Sequence, residues 1–479
     1  MFFTLFLQCT NIVANNKWND RGKYDISWYN SSSKTFEIAT AEQFAGIAFL
    51  VNNGYTSFSG KTIKLSENID LSSNIWVPIG NATYQFSGIL DGNNKTIKGL
   101  SVELNSAEAE HDYYGLFGYI KNATIKDFSL TGKINFEIDN WFLKQYIGSV
   151  AAYAYGSNLS NITSEVDIRY DRTHAYNFPY EIYIGGLIGI SKKNIIESCL
   201  FHKGTIEASI YKGTILDNET YTSGSCFYVA GLCAEDAEST IKYCGAILTH
   251  IYMFIPGSKN SRMEHYLGGL IARANFTEIY SSYSIIYNAE QYYYTADIST
   301  LNIGGIVDFH SGARYKGCVH NCYSIIYDVN FGTGNSKSAI NVGNICCAYD
   351  TYNQQNYSNN YSNNDVSIEH WSMPFYPQYN GITTYNCKEM RTQNFADELN
   401  LYYILNGKNA IWELGDNHPI VNLNFTTGIK TNYCSADDIL TIDYYSIEGR
   451  HIKNPSKGIF IKRTVYKNGK ISTEKIIYN

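Results

Sequence analysis

At 479 residues the chain is too long for one ordinary globular core, so several domains or a repeated unit are expected. A formal charge of −7 gives nucleic acid and anionic membranes no electrostatic reason to bind. Only 17% of residues are charged, whereas Tyr contributes 43 and Gly 38, a mix of strand-favouring rings and turn formers that predicts many short strands.

The chain opens with FFTLFL, then Gln8 and Cys9, with Ala14 close behind. A short apolar stretch ending near a small residue predicts a signal peptide over residues 1–14, cleaved near Ala14. Lipid modification of Cys9 is the alternative, for which Gln8 is a poor neighbour. No other segment reaches the roughly 18 apolar residues of a membrane helix, so no span is expected in the mature chain.

Residues 15–57 form the predicted N-terminal cap. Within it TAEQFAGIAFLVNN predicts a helix over 40–53: Thr40 and Gln43 make a T-x-x-Q capping box, and Phe44, Ile47, Ala48 and Val51 form an apolar stripe. Asn52, Asn53 and Gly54 supply the stop. KTIKLSENIDL and FSGILDGNNKTIKGLSVEL follow as short alternating strands, the second pair separated by a turn at Asp91-Gly92-Asn93-Asn94.

From there the chain repeats itself. YYGLFGYI, YIGSVAAY, YIGGLIGI, YVAGLCAE, YLGGLIAR, NIGGIVDF and NVGNICCA start at Tyr113, Tyr146, Tyr183, Tyr228, Tyr266, Asn302 and Asn341, at spacings of 33, 37, 45, 38, 36 and 39 residues. Most are followed by a second β-rich stretch, so each unit reads as strand, turn, strand, turn. Such a unit cannot bury its apolar face alone, and copies must stack. Residues 58–385 are therefore predicted as a right-handed parallel β-helix, in an all-β chain whose helix at 40–53 caps the first coil. Stacking places Cys199, Cys244 and Cys322 in one column with Ser282, which explains these cysteines as an internal ladder of small residues rather than as disulfides.

The order FEIATAEQFAGIAFLVNNG, FSGKTIKLSENIDL, WVPIG, FSGILDGNNKTIKGLSV and then repeated Y-h-G-G-L segments (h, apolar) resembles the GLUG-motif bacterial surface proteins, over roughly residues 18 to 350. The resemblance implies an adhesin-like, non-catalytic parallel β-helix. Tyr228-Val229-Ala230-Gly231 and Asn341-Val342-Gly343-Asn344 depart from the motif. Residues 386–423, with KEMRTQNFADELN and WELGDNHPIVNL, resemble the segment that closes such stacks. Residues 424–479 alternate as a small antiparallel β domain, and Gly449-Arg450, Lys457 to Ile461 and Lys475 to Ile477 make it similar to the C-terminal sorting domains of type IX secretion. That resemblance implies secretion machinery as a partner and a secreted or outer-membrane-associated location.

Catalytic signals are weak. Glu165 with Asp167 supplies two carboxylates on one strand, a spacing that occurs everywhere by chance. Asp308, His310 and Arg314 in DFHSGAR form the most reactive-looking set, with a polar turn between strands as their plainer reading. Ser59-Gly60-Lys61-Thr62 imitates a phosphate loop, but position 55, where its first glycine belongs, is Tyr55. No H-E-x-x-H or G-x-S-x-G occurs, and no cofactor or metal is called for.

The long insertions all precede a Y-h-G-G segment and so are expected to emerge as loops along one side. They are aromatic: Tyr176, Phe178 and Tyr180; Tyr252 and Phe254; Tyr292, Tyr293 and Tyr294. Rings beside Asn, Thr and Asp suit host or dietary glycans or extracellular protein. The expectation is a secreted or cell-surface binding module rather than an enzyme. Two alternatives remain: a polysaccharide lyase or glycoside hydrolase on a β-helix scaffold, and a passive surface scaffold.

Overall fold

The computed structural model describes residues 16–105, 112–138, 144–172, 181–210, 226–255, 264–293, 300–311, 317–333, 339–343, 345–349, 357–369, 382–405, 407–422, 439–446, 451–452, 458–466 and 471–478. The repeats stack as a parallel β-helix. One coil consists of strands Glu181–Gly185, Ile188–Lys192 and Ile195–Ile210. Each pairs in parallel with its counterparts above and below: Tyr183 lies between Tyr146 and Tyr228, Ile188 between Ala151 and Cys233, and Ile196 between Leu159 and Ile241. Three sheets result: a tyrosine sheet from Tyr113–Tyr114 to Ala339–Gly343, a short sheet from Phe117–Lys121 to Cys346–Tyr349, and a broad sheet built from the longest strands.

The coil therefore has three strands where the sequence pattern suggests two, because the glycine pair bends each Y-h-G-G-L segment into two strands. A Cβ on Gly185 would lie 1.8 Å from the Ile188 carbonyl oxygen, and one on Gly186 would lie 2.1 Å from that of Gly231. In this coil the corner leaves no room for a Cβ at either position. Inward residues then form columns. Ile147, Ile184, Val229, Leu267 and Ile303 line one wall, facing Leu159, Ile196, Ile241 and Ile279 on another, all essentially inaccessible. Each such side chain contributes about 1.5–3 kcal/mol by leaving water.

The broad strands bend in mid-course, where Asn161, Ser198, Tyr243, Ser281 and Asn321 adopt φ of 52, 55, 58, 46 and 53°. Cys199, Cys244, Ser282 and Cys322 follow directly and stack as the repeats predict; the three cysteines are buried and free. The column also satisfies backbone donors opened by the bend. The Cys244 N–H donates to Ser282 Oγ at 3.2 Å, that of Ser282 to Cys322 Sγ at 3.5 Å, and that of Cys322 to Asn360 Oδ1 at 3.0 Å. Asp91 to Asn94 makes no turn between separate strands. Ile89–Asn105 is one broad-sheet strand, and Asn93 and Asn94, at φ 51 and 57°, form a bulge within it.

At the N-terminal end, helix α1 (Ala41–Asn52) takes Thr40 as its N-cap; Thr40 Oγ1 accepts from the Gln43 N–H at 3.2 Å. Gln43 Oε1 reaches past the cap residue to the Ala39 N–H at 2.9 Å. The buried stripe includes Phe44, which packs on Trp76 at 5.4 Å between ring centroids. At the other end Ile382–Tyr385 adds a strand to the broad sheet. The chain then doubles back as helix α2 (Gln393–Leu405) and an antiparallel pair, Trp412–Leu414 with Pro419–Val421. This segment packs along the flank of the stack as a strap, with Met390, Phe395, Leu399, Tyr403 and Trp412 covering Tyr283, Tyr323 and Tyr361 on the outer broad sheet. A small antiparallel sheet follows, from Ile439–Ser446 to Ile471–Tyr478, and its Arg463 Nη2 donates to Asn394 Oδ1 at 2.5 Å. No helix among the described residues is long and apolar enough to cross a membrane.

Candidate binding face

Past the mid-strand bend a second irregularity, at Ser164 to Ile168 in one coil and at His202 to Thr205 around Lys203 (φ 55°) in the next, divides the outer broad sheet into two halves. On the near half, Tyr283 and Tyr323 stack at 5.4 Å and 7°, flanked by Ile285 and Ile325, beneath the strap. The far half carries a different set. Arg169, Glu207, Tyr252 and Glu290 are register neighbours on successive coils, and Asp171, Ser209, Phe254 and Tyr292 form the column beside them. Outward positions alternate with buried Ile251 and Met253, the period of two of a strand with one wet face.

Polar contacts hold this far half in place. Arg169 Nε lies 2.7 Å from Asp171 Oδ2 and 3.9 Å from Glu207 Oε2. His250 sits between two coils, with Nδ1 4.0 Å from Glu207 and Nε2 3.5 Å from Glu290. Asn288 Nδ2 donates to Glu290 at 2.9 Å, and the Tyr252 ring lies 6.0 Å from that of His250. The result is a flat, charged frame around half-buried Tyr252 and Phe254.

Tyr252 and Phe254 therefore lie on the strand Gly245–Ile255 and not in a loop, and Tyr292 and Tyr293 end the strand Tyr283–Tyr293, in register with Phe254 and Ile255. Inward Ile251 and Met253, and Ala289 and Gln291 in the next coil, carry each strand past the point where the aromatic run suggests a loop. Tyr176, Phe178, Tyr180 and Tyr294 lie outside the described residues. Arg169, Glu207, His250 and Glu290 are absent from the sequence-based set; aligning the stretches after each Y-h-G-G segment and reading every second residue would have found them.

The catalytic candidates are placed elsewhere. Glu165 Oε1 is 2.6 Å from His202 Nδ1, and Asp167 accepts the Thr205 N–H at 3.0 Å. Asp308 and His310 are not in a polar turn. Both belong to the short-sheet strand Val307–Ser311 and are fully buried, whereas Arg314 lies outside the described residues. Asp308 accepts the Leu267 N–H at 3.0 Å, and His310 Nδ1 lies 2.7 Å from the Tyr357 hydroxyl. Desolvation raises the Asp308 carboxyl well above its usual range and lowers His310 to about 4. Both side chains are sealed inside the stack, away from solvent. The described residues contain no cluster of three metal-ligating side chains. No family model, curated protein or solved structure matches the chain.

Proposed function

We propose that this protein is a secreted or cell-surface binding module of the GLUG type, and that the far half of its outer broad sheet contacts glycans. One observation carries the reading: Tyr252 and Phe254 stand two residues apart on a flat outer face, each ringed by carboxylate, amide or hydroxyl groups held by contacts within and between coils. Rings of this kind pack on the apolar faces of sugars, while Asp171, Glu207, Glu290 and Asn288 take the hydroxyls. The small antiparallel sheet at the C-terminal end serves as the sorting unit that the resemblance to type IX domains implies.

The test is retention on an array of immobilised oligosaccharides and matrix proteins. Replacing both Tyr252 and Phe254 with Ala weakens capture of the best glycan by about ten-fold or more, since central aromatic anchors dominate such contacts. Their half-buried outward position leaves the melting temperature almost unchanged. Undiminished glycan capture by the double variant, or capture of matrix proteins alone, rejects this reading.

A further inference from the structure

The outward side chains of the tyrosine sheet and the short sheet meet across the glycine bend, so their junction is a seam running along the stack, a shallow groove whose floor is filled by the buried rings of Tyr183 and Tyr228 and which is partly exposed at Glu235 and Arg273. Tyr113, Tyr146, Tyr183, Tyr228 and Tyr266 form one wall, with ring centroids 5.0, 5.4, 4.6 and 5.1 Å apart. Tyr146 lies 6.0 Å from Tyr153 on the opposite wall, and Tyr266 lies 5.9 Å from Phe309. Between those two apolar contacts the opposite wall changes character: the column Tyr153, Ile190, Glu235, Arg273, Phe309 places two opposite charges in adjacent coils.

Glu235 and Arg273 are register partners that attract one another without closing into an ion pair. Arg273 Nη1 turns to the Tyr228 hydroxyl at 3.3 Å, and its Nε, buried in the groove, has no acceptor among the described residues. Glu235 is half-buried and accepts no hydrogen bond among the described residues, and desolvation raises its carboxyl above the usual range. Nearby Glu181 is engaged by Lys144 at 2.6 Å and by the Tyr183 hydroxyl at 3.0 Å. The buried Arg273 Nε without an acceptor is the costly group, and half-buried Glu235 beside it stands ready to accept, so a ligand that bridges the two is favoured.

We propose that this stretch of the groove is a second carbohydrate subsite, in which a neutral sugar donates one hydroxyl to Glu235 and accepts from the Arg273 guanidinium with another. A hydroxyl both donates and accepts, so a vicinal pair spans an acid and a base that fail to reach each other. A carboxylate-bearing sugar suits the site less well, because Glu235 and Glu181 would face it. The subsite is on a different side of the coil from Tyr252 and Phe254 and stands or falls separately from that face.

Retention of the full chain is measured on immobilised neutral gluco-, galacto-, manno- and xylo-oligosaccharides beside uronate-containing ones. The Tyr252→Ala, Phe254→Ala background isolates the groove. In that background at least one neutral sugar is still retained, and Glu235→Gln weakens its retention by about ten-fold, the loss of one hydrogen bond to a charged group. Arg273→Gln does the same, with Glu235→Gln, which keeps the side-chain shape, as the control against misfolding. Retention that survives Glu235→Gln, failure of the background protein to hold any neutral sugar, or retention of uronates alone overturns the subsite. A fall in melting temperature that accompanies the loss in Glu235→Gln also overturns it, since the residue then acts in the fold.

Discussion

The Tyr403 hydroxyl shares a hydrogen bond with the Ser281 hydroxyl, 122 positions earlier in the chain. Around it Phe395 packs edge-on against Tyr323 at 5.5 Å and against Tyr361 at 5.4 Å, and Trp412 lies 6.1 Å from Tyr283. The strap is thus bonded to coils laid down far earlier. Phe395→Ala is expected to lower the stability of the strap by about 3–5 kcal/mol and Tyr403→Phe by about 1–3 kcal/mol. Hydrogen exchange on α2 and on the strand Tyr323–Thr333 checks this: both should lose protection together, and loss confined to α2 would show that the flank does not depend on its cover.

The cysteine ladder makes a chemical prediction. Burial pushes the Cys322 thiol up to about 12 and that of Cys244 well above its ordinary value. The reactive species is the thiolate, so neither should react with an alkylating reagent near neutral pH until the chain unfolds. Peptide mass mapping with and without denaturant decides it, and alkylation of Cys244 in the folded protein would contradict the stacked column. Reducing agent should leave the melting of these coils unmoved.

At the corner between the tyrosine and short sheets, Gly185→Ala must displace the Ile188 carbonyl, and a cost of about 1–3 kcal/mol is expected from overpacking. Ala230, its register partner one coil on, shows that a corner shaped for a methyl group exists next door. Ala230→Gly should accordingly cost less, about 0.5–1 kcal/mol. Comparing the two by denaturant titration tests whether the corner itself sets the difference; equal costs would refute it.

Two buried groups should tilt the pH dependence of stability in opposite directions. Asp308 has a folded-state pKa far above the ordinary 3.8, so the native state holds its proton longer than the unfolded chain, and stability falls as pH rises from about 4 through that higher value. Desolvation lowers His265 from 6.5 to about 3, so the unfolded chain takes up a proton first, and stability falls as pH drops across that window. The fall in melting temperature as pH rises above about 4 should therefore flatten in Asp308→Asn, and the fall as pH drops below about 6.5 should flatten in His265→Leu. An unchanged slope above about pH 4 in Asp308→Asn would mean that another group controls it.

Much of the coil was legible in the residues. The Y-h-G-G-L spacing, the helix with its Thr40 cap and the column containing Cys199, Cys244 and Cys322 all follow from period and small-residue chemistry. What failed to show was three-dimensional closure. Gly185 and Gly186 suggest tight packing, but nothing local says that they split one segment into two strands. Asp308 and His310 have a turn-like composition, and only the alternation with Val307 and Phe309 places them on a strand. Met390, Phe395 and Leu399 make an apolar stripe whose partner lies in coils far up the chain, a long-range pairing that local pattern cannot specify. The far-face residues were hidden because aromatic runs resemble loops until each is laid beside its neighbour.

The strap also bears on how the molecule comes into being. Its residues are synthesised after every coil they shield, so a nascent chain paused before Met390 would present Tyr283, Tyr323 and Tyr361 bare on one side, a sticky aromatic strip with no lid. Synthesis and folding must be timed around that interval. A holding factor acting on the growing chain, or very rapid arrival of the last segment, would keep half-built copies from adhering to one another.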